Sequence, residues 1–276
     1  MMVTGATGGI GLAASVQLAR TGARVVLVGR DPAKLDAARA DVRERGSSDT
    51  VDTLLCDFAS QASVRALAKT VLERYDQLHV LVNNAGTVYA NRTVTEDGIE
   101  ATFAVNHLGA FLLTDLLRDL LVRSAPARIV NVSSVGHYNG TLDFDDLGYE
   151  RGYQIMRAYT RSKLANVLFT RSLAERLAGT GVTVNALHPG AVATGIWSRA
   201  PWFARPVLAV AKRLFMISPE EGAQRIVYLA TSPDVAGTTG LYFEDDRPKD
   251  PSPLAQDAAT AERLWTESAR LVHLPA

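Results

Sequence analysis

Cys56 is the only cysteine in the 276-residue chain. It excludes an intrachain disulfide and fits a reducing compartment. Five scattered histidines make no metal-ligand spacing with it, so no metal site is expected. Net charge is also absent, 29 basic against 29 acidic residues. No broad electrostatic pull toward nucleic acid or acidic lipid follows. No apolar run reaches the roughly 18 residues of a membrane span, and the start shows no basic region followed by an apolar stretch. The expected location is the cytoplasm. Proline- or glycine-rich linkers, low-complexity stretches and solenoid repeats are missing as well. Residues 1–276 therefore read as a single domain, with 47% hydrophobic residues to build its core.

What is present begins at once. Met1 to Gly11 reads MMVTGATGGIG, the end of a strand, a glycine turn and the start of a helix. Such a turn lets main chain approach a pyrophosphate, and the helix start offers unpaired N–H groups to it. The spacing is Gly-x3-Gly-x-Gly rather than the common Gly-x-Gly-x2-Gly. Short apolar runs predict further strands at Val25–Val28, Val51–Leu55, Leu78–Val82, Arg128–Ser133, Val182–Leu187 and Leu241–Phe243. Helices are expected between them, including Pro32 to about Arg45 with Gly46 as its stop. Ser60–Tyr75 should bury Val64, Leu67, Ala68, Val71 and Leu72. One or two helices should fill Ile99–Arg123, and others Gln154–Ala178, Glu220–Thr231 and Ala258–Leu271. The alternation predicts an α/β fold: a Rossmann doubly wound parallel sheet of about seven strands, helices on both faces. Its carboxyl edge would gather the glycine turn, Gly29-Arg30, Asp57, Asn83–Gly86, Ser133-Ser134 and Pro189-Gly190.

Tyr159 and Lys163 are four apart on a predicted helix and share a face. An ammonium beside a phenol favours the phenolate, so a lowered tyrosine pKa and proton exchange with an alcohol or carbonyl are expected. The bland alternative is a surface i,i+4 pair. Tyr153 has Arg157 at the same spacing, which is too basic to share a proton. Strand alternation in RIVNVSS does not decide between Ser133 and Ser134. Asn106, taken alone, reads as a packing or capping residue.

Taken together, Thr4-Gly5-x3-Gly9-x-Gly11, Asn83-Asn84-Ala85-Gly86, Asn106, Ser134, Tyr159-x3-Lys163 and Pro189-Gly190 resemble the classical short-chain dehydrogenase/reductase family over nearly the whole chain. The resemblance implies Tyr159 as general acid/base and Lys163 as its partner and holder of the nicotinamide ribose. It implies Ser134, the second of the pair, at the reacting oxygen, and Asn106 anchoring a water beside Lys163. It also implies cofactor contacts from Gly5, Thr7, Gly8, Gly9, Ile10, Gly11, Asp57, Phe58, Asn83, Ala85, Gly86, Pro189, Gly190, Val192 and Thr194. For Asp57 the competing reading is a cap of the helix beginning near Ser60. RIVNVSSVGHY, YTRSKLANVLFTRSLAERL, VNALHPG and TAERLW are similar to the retinol-dehydrogenase-like branch, which acts on apolar alcohols, aldehydes and ketones. A non-catalytic NADP-binding sensor or scaffold on the same fold would be expected to lose the tyrosine, lysine or serine. An isomerase or dehydratase of the extended branch would show Gly-x2-Gly-x2-Gly.

The second strand ends at Gly29-Arg30, where an NAD site places a carboxylate. A guanidinium there suits a 2′-phosphate, so NADP(H) is expected, with NAD(H) as the alternative. Asp31, before Pro32, is a helix cap first. Residues 191–218 are apolar and aromatic with interleaved Arg and Lys, which suits a substrate lid; peripheral membrane contact is its second reading. Two features depart from the family pattern. The first strand has few residues ahead of its turn, from a late assigned start or a weakened strand. Residues 136–158, with Asp143, Asp145 and Asp146, would cap the site or cover a dimer face, which leaves a homo-oligomer open.

Overall fold

The computed structural model describes residues 1–191 and 217–275. Eight strands form one sheet: β1 (Met2–Thr4), β2 (Val25–Gly29), β3 (Val51–Leu55), β4 (Val80–Asn83), β5 (Ala127–Val132), β6 (Val182–Leu187), β7 (Tyr242–Glu244) and β8 (Arg247–Pro248). Their order is β3-β2-β1-β4-β5-β6-β7-β8, parallel except for the antiparallel β8. The expected doubly wound sheet is present with one strand more. β8 pairs only as Phe243↔Pro248 and Glu244↔Arg247, two residues with no apolar pattern to announce them.

Strands β1 to β7 split their apolar residues between two cores, as period-2 geometry requires. Met2, Val26, Val28, Leu81 and Ile129 face one; Val3, Val25, Leu27, Val82 and Val130 face the other. The first core is covered by α3 (Gln61–Arg74), α5 (Gly109–Leu116), α6 (Arg118–Arg123), α7 (Ile155–Arg176) and α9 (Ala258–Leu271). The second is covered by α1 (Gly9–Ala19), α2 (Pro32–Gly46) and α8 (Pro219–Thr231). A short helix α4 (Ala101–Phe103) runs through a π-helical segment, Ala104–Leu108, into α5. No helix among the described residues is long and apolar enough to cross a membrane.

Local chemistry sets most boundaries. Asp31, Ser60, Ser218 and Asp257 each accept a main-chain N–H as N-caps of α2, α3, α8 and α9. Gly46 is not the stop of α2. An added Cβ there would stand 2.7 Å from Ala19 Cβ, so this glycine lets α2 press on α1, and Ser47 takes the left-handed turn at φ 49°. Leu72 is 46% exposed rather than buried, because α3 buries only Val64, Leu67, Ala68 and Val71.

Candidate active site

The carboxyl ends of β1, β2, β4, β5 and β6 lie in one register, from Thr4↔Val28 through Asn83↔Asn131 to Val132↔Leu187. At the end of β1, Gly5 and Gly9 adopt φ of 65° and 55°, which side chains rarely tolerate. A Cβ on Gly11 would stand 2.4 Å from the Gly5 carbonyl oxygen. The turn is therefore folded back on the first turn of α1 as only glycine allows. Gly8 is different: extended, with nothing within 4 Å of a built Cβ, it borders open space. α1 has neither a side-chain cap nor an acid in its first turn, so its N-terminal donors are left for an anion. Thr7 packs its methyl over Gly29, and Ile10 rests half-buried on the second core.

Thr4 ties this turn to the loop after β4. Its hydroxyl donates to the Val82 carbonyl and accepts the N–H groups of Asn84 and Ala85 at 2.9 and 3.0 Å. Asn84 returns its amide to the Thr4 carbonyl at 2.8 Å. Both side chains belong to the glycine-turn and Asn-Asn-Ala-Gly motifs, but their tie depends on residues some 80 positions apart and no spacing reveals it. Asn83, by contrast, spends its amide inside the sheet on Thr114 Oγ1 and Asn131 Oδ1, at 2.9 and 2.8 Å. Its Oδ1 is buried without a hydrogen-bond partner among the described residues. Arg30 is exposed at the end of β2 and Asp31 caps α2 through Lys34 N–H at 3.2 Å. Asp57 does not cap α3, since Ser60 does; its Oδ1 accepts Ala59 N–H at 3.0 Å. Phe58 sends its ring into the core against Gly109.

Across the edge, α7 brings up Tyr159 and Lys163. Ser133 turns away and donates to the Lys163 carbonyl at 2.8 Å, whereas Ser134 hydrogen-bonds Tyr159. Ser134 Oγ also accepts Gly136 N–H at 3.0 Å. The buried Lys163 Nζ donates to the Val132 carbonyl at 3.0 Å and lies 5.7 Å from the Tyr159 ring centroid. Burial pushes its ammonium down to about 8. Burial also pushes the Tyr159 phenol above the ordinary tyrosine range, with the Ser134 hydrogen bond opposing it. The phenol is thus raised where a lowering was expected, because its burial outweighs the Ser134 hydrogen bond.

Asn106 belongs to the π-helical segment, a geometry that recurs at functional sites. Its Oδ1 accepts Thr87 N–H at 2.7 Å, and its Nδ2 donates to the Thr87 carbonyl and Ser162 Oγ, both at 3.0 Å. The side chain clamps the loop after β4 onto α7. Between them lies Gly86, where a Cβ would stand 3.5 Å from Asn106 Oδ1 and 3.7 Å from Lys163 Nζ. Pro189 is buried beyond β6, and Gly190, at φ 96°, leaves no room for a Cβ beside Ile217. Val192 and Thr194, with most of the expected lid at 191–218, fall outside the described residues. The ends of that segment meet, Ile217 N–H on the Ala191 carbonyl at 2.9 Å.

Residues 136–158 rest on Arg161, whose guanidinium donates to the Thr141, Asp146 and Leu147 carbonyls and lies 3.6 Å over the Tyr149 ring. Asp143 and Asp146 accept main-chain N–H groups within their own loop. Tyr153 donates to the Tyr89 carbonyl at 2.7 Å, joining this segment to the loop after β4.

Residues 1–201 match the family model described as short chain dehydrogenase. Human retinol dehydrogenase 13 is 44% identical over 100% of this chain and 85% of its own. Mouse retinol dehydrogenase 14 is 45% identical over 99% and 85%. Among solved structures, an uncharacterized protein from Mycobacterium paratuberculosis aligns with a TM-score of 0.79 at 30% identity, covering 100% of this chain and 94% of its own. An actinorhodin polyketide ketoreductase variant with NADPH aligns at 0.70 and 30% identity, covering 88% and 93%. The chain is thus an oxidoreductase that belongs to the short-chain dehydrogenase family, in its retinol-dehydrogenase-like branch.

Proposed function

We propose that the protein is an NADP(H)-dependent reductase or dehydrogenase of an apolar carbonyl/alcohol pair, with Tyr159 as its acid/base. The observation that carries this reading is the meeting of Tyr159, Ser134 and Lys163 beside Gly86, across the sheet edge from a glycine cradle. The cradle suits a dinucleotide: Gly5, Gly9 and Gly11 hold a turn that side chains would break, and Gly8 opens toward the space ahead of α1. The NADPH bound to the ketoreductase relative supports a nicotinamide cofactor. Its preference for the phosphorylated form rests on Arg30. This guanidinium is exposed at the end of β2, and the next residue, Asp31, is occupied as a cap.

When bound, the nicotinamide supplies or accepts the hydride. The protein's residues manage the oxygen and the proton. In reduction, Ser134 Oγ–H holds the substrate carbonyl oxygen, and Tyr159 Oη gives it a proton as the carbon receives hydride. A phenol held above its ordinary range is protonated at neutral pH and ready for that step. Lys163, with one donor on Val132, has two more for ribose hydroxyls, and its charge stabilises the phenolate left behind. Oxidation runs the same steps backwards. The exposed Val135, one residue after Ser134, and Met156, three before Tyr159, favour an apolar substrate.

A panel of aromatic and long-chain aldehydes and ketones, followed by NADPH absorbance, tests the reading. Tyr159→Phe should lower kcat by roughly three orders of magnitude while NADPH still binds; wild-type turnover would refute the mechanism. Arg30→Asp should weaken NADPH relative to NADH by about 1.5–3 kcal/mol. An unchanged ratio would remove Arg30 from the site.

A further inference from the structure

His137 lies three residues after Ser134 and is fully buried. Its ring packs against those of Tyr138 and Tyr242, with centroids at 4.1 and 4.5 Å. Both ring nitrogens meet main-chain groups whose chemistry leaves one arrangement. The Ser134 carbonyl can only accept, and it lies 2.7 Å from Nδ1. The Ser252 N–H can only donate, and it lies 3.2 Å from Nε2. Nδ1 therefore carries the proton and Nε2 the lone pair. The same Ser134 carbonyl accepts the main-chain N–H of His137 at 3.1 Å. One residue thus holds the Ser134 peptide twice, while Gly136 N–H holds the Ser134 hydroxyl oxygen at 3.0 Å.

We propose that His137, as its Nδ1-protonated neutral tautomer, is a positioning residue for Ser134, and that the C-terminal segment holds it in that role through Ser252. The proposal rests on the reading of Ser134 as the hydroxyl that meets the substrate oxygen. A misaimed hydroxyl would bind substrate about as well and turn it over more slowly, because the loss falls on the transition state.

Two substitutions separate positioning from packing. Asparagine places an amide donor near the position of Nδ1 and so keeps the Ser134 carbonyl, but it gives up Ser252. Glutamine reaches the position of Nε2, accepts from Ser252 and fills more of the volume, but it gives up the Ser134 donor. His137→Asn should keep kcat within about threefold of wild type, and His137→Gln should lower it roughly tenfold or more. Both should leave the NADPH Kd unchanged. In a Ser134→Ala background, His137→Gln should cost nothing further, since it acts through the missing hydroxyl. Packing alone predicts the opposite order, and additive losses in the double variant. Should neither variant fold, 15N-histidine NMR of the wild-type protein reads the tautomer directly: a proton on Nδ1 supports the proposal and a proton on Nε2 overturns it. Ser134→Ala alone keeps the two readings apart. Full turnover there would remove the role of Ser134 and the proposal with it. Lost turnover, with glutamine equal to or better than asparagine, overturns only the positioning by His137.

Discussion

Lys163 carries its ammonium into the protein, where it donates to the Val132 carbonyl, and burial lowers its pKa from 10.5 to about 8. The charged form is therefore disfavoured in the folded state by roughly 3 kcal/mol. Below pH 8 both folded and unfolded chains hold this proton, and the folded state bears the whole penalty. Between 8 and 10.5 the folded chain has released the proton and the unfolded chain has not, so stability rises with pH across that window. Lys163→Met removes the charge at nearly constant volume and gives up one hydrogen bond of about 1 kcal/mol. At pH 7 the cofactor-free variant should be more stable by about 1–2 kcal/mol, a few degrees in Tm by calorimetry, while turnover is lost. The gain should vanish above pH 10. An unchanged or lower Tm at pH 7 would mean that the lysine is not strained by burial. Residues of this kind are only half legible in a sequence. Tyr159-x3-Lys163 announces itself by spacing, but the upward shift of the phenol comes from burial that no spacing reveals. His137 gave no signal beyond its place after the serine pair, because its role depends on Ser252, more than a hundred residues away.

Between strand and helix, the glycine turn separates two jobs that glycine performs. At Gly11 an added Cβ meets the Gly5 carbonyl oxygen at 2.4 Å and Asn84 Nδ2 at 2.5 Å, and the rigid main chain cannot give way cheaply. Gly11→Ala should destabilise the fold by roughly 1–3 kcal/mol and weaken the cofactor with it. At Gly8 the Cβ meets nothing within 4 Å, and its φ of 177° is open to any residue. Gly8→Ala should leave the urea midpoint unchanged yet raise the NADPH Kd severalfold, because the methyl enters the space ahead of α1. Isothermal titration and urea denaturation of both variants decide it. Equal losses of stability would mean that the cradle is only structural. Elements with strong periodicity were legible, and Val51–Leu55, Val182–Leu187 and Ala258–Leu271 have the bounds that their patterns predict. Those governed by contacts from elsewhere were not. Gly46, inside α2, is a glycine that Ala19 requires, and Asn106 in the π-helical segment meets Thr87 and Ser162, contacts that no local pattern reveals.

For the molecule as a whole, the last helix is part of the core rather than an appendage to it. Trp265 on α9 packs edge-on to Phe111 at 4.9 Å and lies 5.9 Å from Phe169, with the Arg176 guanidinium 4.0 Å from its ring. Arg176 also grips both carboxylate oxygens of Glu262 at 2.9 and 2.7 Å. Deeper still, Ser268 Oγ bonds the buried His107, which neighbours Asn106 in the π-helical segment. The TAERLW stretch is thereby explained: threonine completes the cap with Asp257, glutamate takes Arg176, and tryptophan fills the aromatic cluster over α5 and α7. Apart from Asp257, none of these partners is near it in sequence, which is why the stretch was legible only as a mark of the branch. Removing the indole leaves a cavity where α9 meets α5 and α7. Trp265→Ala should lower stability by about 3–5 kcal/mol. If α9 unfolds with the sheet, the urea midpoint drops while the slope of the transition is kept. NADPH should restore part of the loss, since a ligand of the folded state pulls the equilibrium back. A separate early transition, or an unchanged midpoint, would show that α9 melts independently and that the core ends at α7.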